Sequence, residues 1–213
     1  MSLIHCEDGL SRCRWCGAAA EFIPYHDQEW GFPCTDDQRL FEKLCLESFQ
    51  SGLSWRTILN KRENFRRAFA QFDFQQVARF DQHDIARLLA DEGIVRHQGK
   101  IKAVINNARR AEEVVAEYGS LAAFIWSFEP TEDEATPQSR STSTAAEQLA
   151  KALKRRGWQF VGPTTVYAFM QAMGLINDHA LGCHSRAQVA QARAALIRPG
   201  RAAPAASGET VPA

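Results

Sequence analysis

Between Asp36 and Gly174 the apolar residues recur every three to four positions, in segments that open on a capping residue and in several cases close on glycine. That period lines one face of an α-helix. A chain with this pattern buries its apolar surface by packing helix on helix. Thr35 or Asp36 can cap a helix running to about Ser51, with Leu40, Phe41, Leu44 and Cys45 along one side. Ser54 can cap "SWRTILNKRENFRRAF", Asp73 opens "DFQQVARF", and "DQHDIARLLADEG" stops at Gly93. "QGKIKAVINNARRAEEVVAEYG" reads as a long helix ending at Gly119, and a shorter one, "SLAAFIWSF", follows it. "STAAEQLAKALKRRG" and "GPTTVYAFMQAMG" each end on glycine. No stretch sustains two-residue alternation, so the expected fold is all-α.

A chain of 213 residues, 45% apolar, can bury a sizeable core in one domain. Residues 129–143, "EPTEDEATPQSRSTS", form a polar connection. Residues 1–12, with His5 and Cys6, are expected to be a loose N-terminal extension. From residue 187 the chain turns to Ala, Arg and Pro; "AQVAQARAALI" can form a helix, but this tail is expected to be largely disordered. That leaves 13–186 as the helical domain. The formal net charge is +0, so any basic surface must be local. No apolar run approaches the ~20 residues of a membrane span, and "MSLIHCEDGLSRCRWCG" lacks a basic-then-apolar leader pattern. The expectation is a cytoplasmic monomer with no membrane partner.

Three local patterns carry chemistry. The first is "DIARLLADEGIVRHQGKIKAVINNARR", a helix, a tight turn with Gly93 and Gly99, and a second helix: a helix-hairpin-helix pattern. Such a turn offers backbone N–H groups and a helix N-terminus to a phosphate. From Ile94 to Arg110 the basic residues Arg96, Lys100, Lys102, Arg109 and Arg110 meet no acidic one. A patch like this suits sequence-neutral contact with a nucleic-acid backbone, although an ordinary helical hairpin with a solvated face reads the same way.

The second pattern is "LFEKLCLESFQSGLSW". Glu47 falls three residues after Leu44 and seven after Leu40, on the same helix face. A carboxylate facing a core needs a partner or a function, unless the helix turns it to solvent. Trp55 follows closely, and Trp15, Tyr25 and Trp30 crowd the segment "CRWCGAAAEFIPYHDQEWG". Aromatic walls with one acceptor can stack a flat ring and read its edge, and they favour a flat cation.

The third is "LINDHALGCH", which sets His179 and Cys183 one helical turn apart. Cys13, Cys16 and His26 are candidates for the other half. Cys13, His26, His179 and Cys183 would complete a closed Cys2His2 set for a structural Zn2+. Cys16 competes with Cys13, since "CRWC" is itself a Cys-x-x-Cys pair, and His184 competes less well with Cys183. Cys45, inside a helical apolar pattern, reads as a small core residue.

Taken in order, "YHDQEWG", "LFEKLCLESFQSGLSW", "GIVRHQGKIKAVINNA", "STSTAAEQLAKALKRRGWQFVGPTTVYAFMQAMGLINDH" and the closing "GC" resemble the 3-methyladenine-DNA glycosylase I family, from about Cys13 to Cys183. The resemblance implies a helix-hairpin-helix DNA glycosylase fold with a zinc clasp joining the N- and C-terminal segments. It implies excision of 3-methyladenine from alkylated double-stranded DNA by hydrolysis of the N-glycosidic bond, leaving an abasic site. By the same resemblance Cys13, His26, His179 and Cys183 match zinc ligands, and Glu47 matches the base-reading glutamate. Tyr25 matches the tyrosine beside it, Trp55 the stacking tryptophan, and Trp15 and Trp30 further pocket aromatics. Gly52 and Leu53 match the wedge that fills the gap in the duplex, and Arg96, Gly99, Lys100 and Lys102 are expected at the DNA backbone. The chain departs from the family in extra N-terminal residues, a shortened 129–143 connection, a C-terminal extension, and Cys16 at a position the family does not use for metal. The aspartate that many superfamily members carry downstream of the hairpin is missing too, since "YGSLAAFIWSFEP" has no acid before Glu129. That fits a leaving group already activated by its own charge.

Two other classes fit less of the sequence. A non-enzymatic, zinc-stabilised DNA-binding module would leave Glu47 and its aromatics unexplained. A zinc deaminase needs a His-x-Glu and Pro-Cys-x-x-Cys pattern that "HDQE" and "CRWC" do not supply.

Overall fold

A computed structural model describes residues 3–131 and 137–200. Among the described residues ten α-helices carry the fold: α1 (Phe22–Gln28), α2 (Asp37–Gln50), α3 (Trp55–Ala68), α4 (Phe74–Val77), α5 (Gln82–Ala90), α6 (Gln98–Tyr118), α7 (Leu121–Trp126), α8 (Thr144–Arg155), α9 (Pro163–Ala172) and α10 (His184–Ala195). The caps explain the boundaries. Asp36 accepts from the Arg39 backbone N–H at 2.8 Å, Ser54 from Thr57 at 3.2 Å, and Asp81 with Asp84 forms a capping box on α5. Gly119, at φ 85°, ends α6 in the left-handed conformation that glycine adopts without a Cβ clash.

The centre of the molecule is α2. Leu40 through Phe49 are all buried, and the helix packs against α3, α6, α7 and α9. Phe41, Phe49, Phe65, Phe69 and Phe72 fill the space around it. Each buried phenylalanine contributes about 1.5–3 kcal/mol. This rigid centre fixes the position of anything that α2 carries toward the surface.

The expected helical fold is the one found, and three finer expectations change. Beside the helices, β1 (Leu3–His5) and β2 (Ser11–Cys13) form a small antiparallel hairpin with Ile4 opposite Arg12. Strands this short leave too few positions for a detectable alternation. The N-terminal extension is therefore docked from Leu3 onward, with Ile4 packed against Gly17. "DFQQVARF" gives only the single turn α4, because Asp81 starts the next helix. The chain also stays folded past residue 186 through α10. Arg193 and Arg198 then bond to Glu129 at 3.2 and 2.9 Å, tying this end to the body. Residues 201–213, the rest of the expected disordered tail, lie outside the described residues. Among the described residues no helix is long and apolar enough to cross a membrane.

Candidate active site

The turn between α2 and α3 is short because its residues allow a sharp reversal. Gly52 sits at φ 79°, and Ser54 immediately caps α3. Leu53 is left at the tip, 42% exposed, and Trp55 swings back over the end of α2. Beneath the turn, Lys100 on α6 donates its buried ammonium to the carbonyls of Phe49 and Ser51 at 2.9 and 2.6 Å. Lys100 thus satisfies orphan carbonyls at the C-terminus of α2, and its charge is turned inward. The side chain expected at the DNA backbone is thus engaged inside the fold. Burial lowers the Lys100 pKa from the ordinary lysine value.

Beside this turn lies a cavity of about 290 Å³, at the small end of the range of about 300–1,000 Å³ for ligand sites. Tyr25 from α1, Trp15 from the tight turn Arg14–Ala18, Trp30 and Trp55 supply aromatic walls. Trp15 meets Trp30 edge-on at 5.2 Å, and Tyr25 lies 5.3 Å from Trp55. Glu47, 6% exposed, is the carboxylate in this wall. Gln50, Gln171 on α9, and Gln138 and Arg140 from the polar connection complete the lining. A second hollow of about 360 Å³ shares Glu47 and Gln50 and runs past Gly52 and Leu53 to Thr164 and Thr165.

The sulfur and nitrogen ligand atoms of Cys13, His26, His179 and Cys183 converge behind the aromatics, all within 4.8 Å of one another and all buried. Such a group can hold a metal ion. Its outer hydrogen bonds orient it. Nε2 of His179 donates to the Trp30 carbonyl at 2.9 Å, which turns Nδ1 to the cluster. His26 bonds Asp27 through Nδ1 at 2.7 Å and faces Cys183 with Nε2. Cys13 Sγ accepts from the Ala180 N–H at 3.3 Å and from the Gln138 amide at 3.1 Å. Packed this closely, the two thiols cannot ionise alike without a cation. Cys183 is held far below the ordinary thiol range by hydrogen bonds from Cys13, His179 and His26, while Cys13 is pushed up by Cys183 and by burial.

Cys16 is buried but lies outside this group, so Cys13 is the thiol that converges with the others. Burial, with smaller contributions from the charges of Asp27, Cys6 and Cys183, pushes Cys16 up to about 12. His184 stands one step out, 3.0 Å from Asp27. Asp27 in turn receives Arg12 at 2.8 Å, and Arg12 also binds Asp8 at 2.7 Å. The docked N-terminal hairpin thereby supports the cluster from outside.

The chain matches the family model described as methyladenine glycosylase over residues 15–187. It is a member of that family. It is 48% identical over 179 residues to DNA-3-methyladenine glycosylase 1 of Escherichia coli K12, covering 82% of this chain and 96% of the relative. DNA-3-methyladenine glycosylase of Haemophilus influenzae is 46% identical over 181 residues, covering 81% of this chain and 96% of the relative. A solved structure of 3-methyladenine DNA glycosylase I from Staphylococcus aureus, which describes 3-methyladenine recognition, is 36% identical with a TM-score of 0.78. It covers 82% of this chain and 96% of its own.

Set against the sequence expectations, the fold brings Trp15, Tyr25, Trp30, Glu47 and Trp55 around one cavity and gathers Cys13, His26, His179 and Cys183 into one cluster. The aromatics connect the two, for Trp30 lies 4.7 Å from His179 and Trp15 lies 5.4 Å from His26. Arg96 and Lys102 are exposed near the start of α6, where Gly99 sits in the first turn.

Three residues were missed. Lys43 binds Glu47 at 2.7 Å, and its i, i+4 spacing in "EKLCLE" is the signal that would have found it. Gln138 reaches both cavity and cluster from a stretch that reads only as a linker. Phe160 is 42% exposed at φ 56°, with its ring 6.2 Å from His97 and beside Gly99. Ser48 holds its carbonyl at 3.0 Å and Asn107 holds both backbone groups of Gln159. The surroundings therefore over-determine a backbone conformation that costs a non-glycine residue about 1–3 kcal/mol.

Proposed function

We infer that this protein is a DNA repair glycosylase that flips 3-methyladenine out of alkylated double-stranded DNA and hydrolyses its N-glycosidic bond, leaving an abasic site. The observation that carries the reading is a buried carboxylate, Glu47, in an aromatic cavity sized for one flat ring. The family membership gives that ring its chemistry. A stacked base must leave the duplex to reach such a cavity, at a cost of a few kcal/mol. Leu53, at the tip of the α2–α3 turn, is the side chain placed to fill the gap. The hollow from Leu53 to Glu47 is the path for the extruded nucleotide. The helix pair α5 and α6 serves as the helix-hairpin-helix element. The N-terminus of α6, Arg96 and Lys102 hold the backbone by charge and N–H donation, and Phe160 adds an aromatic contact beside Gly99.

3-Methyladenine in DNA carries a formal positive charge, so its glycosidic bond is weak before the enzyme acts and little acid catalysis is needed. Glu47 accepts hydrogen bonds from the base edge, and Trp55 and Tyr25 supply stacking surface. The metal is assigned as Zn2+. Tetrahedral zinc, with bonds of about 2.3 Å to sulfur and about 2.0–2.1 Å to nitrogen, sets S···N separations near about 3.6 Å. The cluster has 3.5, 3.6 and 3.7 Å. Four protein ligands would close the coordination sphere, so Cys13, His26, His179 and Cys183 would hold the metal as a cross-link between the two ends of the domain. The cavity lies within one chain, which fits action as a monomer, and a genomic DNA substrate calls for a cytoplasmic enzyme.

The test is to incubate the protein with methylated DNA and identify the released bases by mass spectrometry. Release of 3-methyladenine is expected, and Glu47→Gln is expected to bind abasic DNA while losing excision rate or selectivity. DNA binding with no base released would return the non-enzymatic zinc-stabilised module instead. Release at the parental rate by Glu47→Gln would remove the role given to that carboxylate.

A further inference from the structure

A cation stands against three of the groups that line this pocket. Lys43, one turn before Glu47 on α2, is 6% exposed. Its ammonium lies 2.7 Å from Glu47 Oε1, donates to the Tyr25 hydroxyl at 2.8 Å, and stands 3.4 Å above the centroid of the Trp55 ring. Those three groups are the carboxylate, the phenol and the indole expected to recognise the base. All three are engaged by this one side chain.

We propose that Lys43 is a specificity-determining residue: its ammonium is an internal competitor that only a cationic base displaces from Glu47 and Trp55. The inference rests on reading the cavity as a methylated-base site. The argument is one of charge. Glu47 and Lys43 together are neutral. A second cation beside them would add an uncompensated positive charge to a cavity that Arg140 already lines, which is costly, so the two cations exclude each other. A methylated base can replace the ammonium like for like, keeping the carboxylate compensated and a cation over the indole. Neutral adenine offers no charge in exchange, so it cannot offset the lost Lys43–Glu47 pair. Undamaged bases are thereby refused at the same groups that accept the lesion. Lys43 is also held under tension: burial lowers its pKa, against the opposing charge and hydrogen bond of Glu47. Its flexible stem allows it to withdraw.

Cleavage reverses the exchange. The bond from the sugar carbon to the base breaks with its electron pair going to the base, which becomes neutral. Water oxygen adds to the sugar carbon and the remaining proton passes to solvent. The neutral product no longer compensates Glu47, and the ammonium returns to displace it.

Lys43→Met keeps length and removes charge. Titration of the free bases adenine and 3-methyladenine, followed by tryptophan fluorescence, should show both binding about tenfold or more tightly to Lys43→Met than to the parent. The adenine gain should carry over into excision as lower selectivity for methylated DNA. Equal or weaker binding of both bases by a folded Lys43→Met overturns the proposal while leaving the pocket reading intact. If the parent and the variant bind no base at all, the pocket reading itself falls. A second measurement needs no variant to fold. The Lys43 ammonium nitrogen resonance of the parent should move when DNA bearing 3-methyladenine is added, and stay in place with undamaged DNA. No movement with the lesion overturns the exchange.

Discussion

Lys100→Met separates two readings of the same lysine. By sequence it belongs to the basic patch that faces DNA; in the fold its ammonium grips the carbonyls of Phe49 and Ser51 under the Leu53 turn. A hydrogen bond from a charged donor contributes about 1.5–3 kcal/mol. The Ser51 carbonyl, in an exposed residue, recovers water when its partner is removed, whereas the Phe49 carbonyl is buried with its residue. The net loss is therefore about 2–3 kcal/mol, equivalent to a fall in Tm of about 5–10 °C for a domain of this size. Urea unfolding should show a lower midpoint with an unchanged slope. Because the ammonium neutralises no phosphate, the dependence of DNA affinity on salt should keep its slope. Excision from DNA should fall as the wedge turn loosens, with binding of free 3-methyladenine retained. A phosphate contact gives the opposite pattern: stability near that of the parent, and a log–log salt slope reduced by about 0.9. That outcome would refute the structural assignment.

Cys183→Ser should abolish stoichiometric metal binding and lower stability by several kcal/mol, since metal-binding free energy is folding free energy at such a site. Cys16→Ser should leave metal content unchanged, as measured by atomic emission. A Cys183→Ser protein that folds normally but excises nothing would overturn the structural role. The C-terminal helix should undock in acid. Burial alone would raise Glu129, but hydrogen bonds and charge from Arg198 and Arg193 outweigh it and lower its pKa from the ordinary 4.5. A carboxyl depressed on folding contributes stability that is complete above its ordinary value and is lost as pH falls through the folded one. Unfolding free energy should therefore drop below about pH 4.5 in the parent and more shallowly in Glu129→Gln; equal slopes would show the ion pairs to be idle.

The sequence by itself determined the long helices, because caps at Asp36 and Ser54, a glycine stop at Gly119 and a 3.6-residue apolar period are local properties. It also marked Glu47, since a carboxylate among leucines on one helix face is visible without a fold, and Lys43 could have been read by the same spacing. The tertiary structure decided what depends on distance in space. Cys13 rather than Cys16 meets His26, His179 and Cys183, which local spacing could not settle, because the two thiols lie only three residues apart, at the end of β2 and in the turn after it, and only the packing of two remote segments selects between them. It also turned Lys100 inward while leaving Lys102 at the surface, because two positions along a helix reverse the face a side chain presents. Charge is written in the sequence, but whether it meets solvent, a carbonyl or a phosphate is a property of the packed chain.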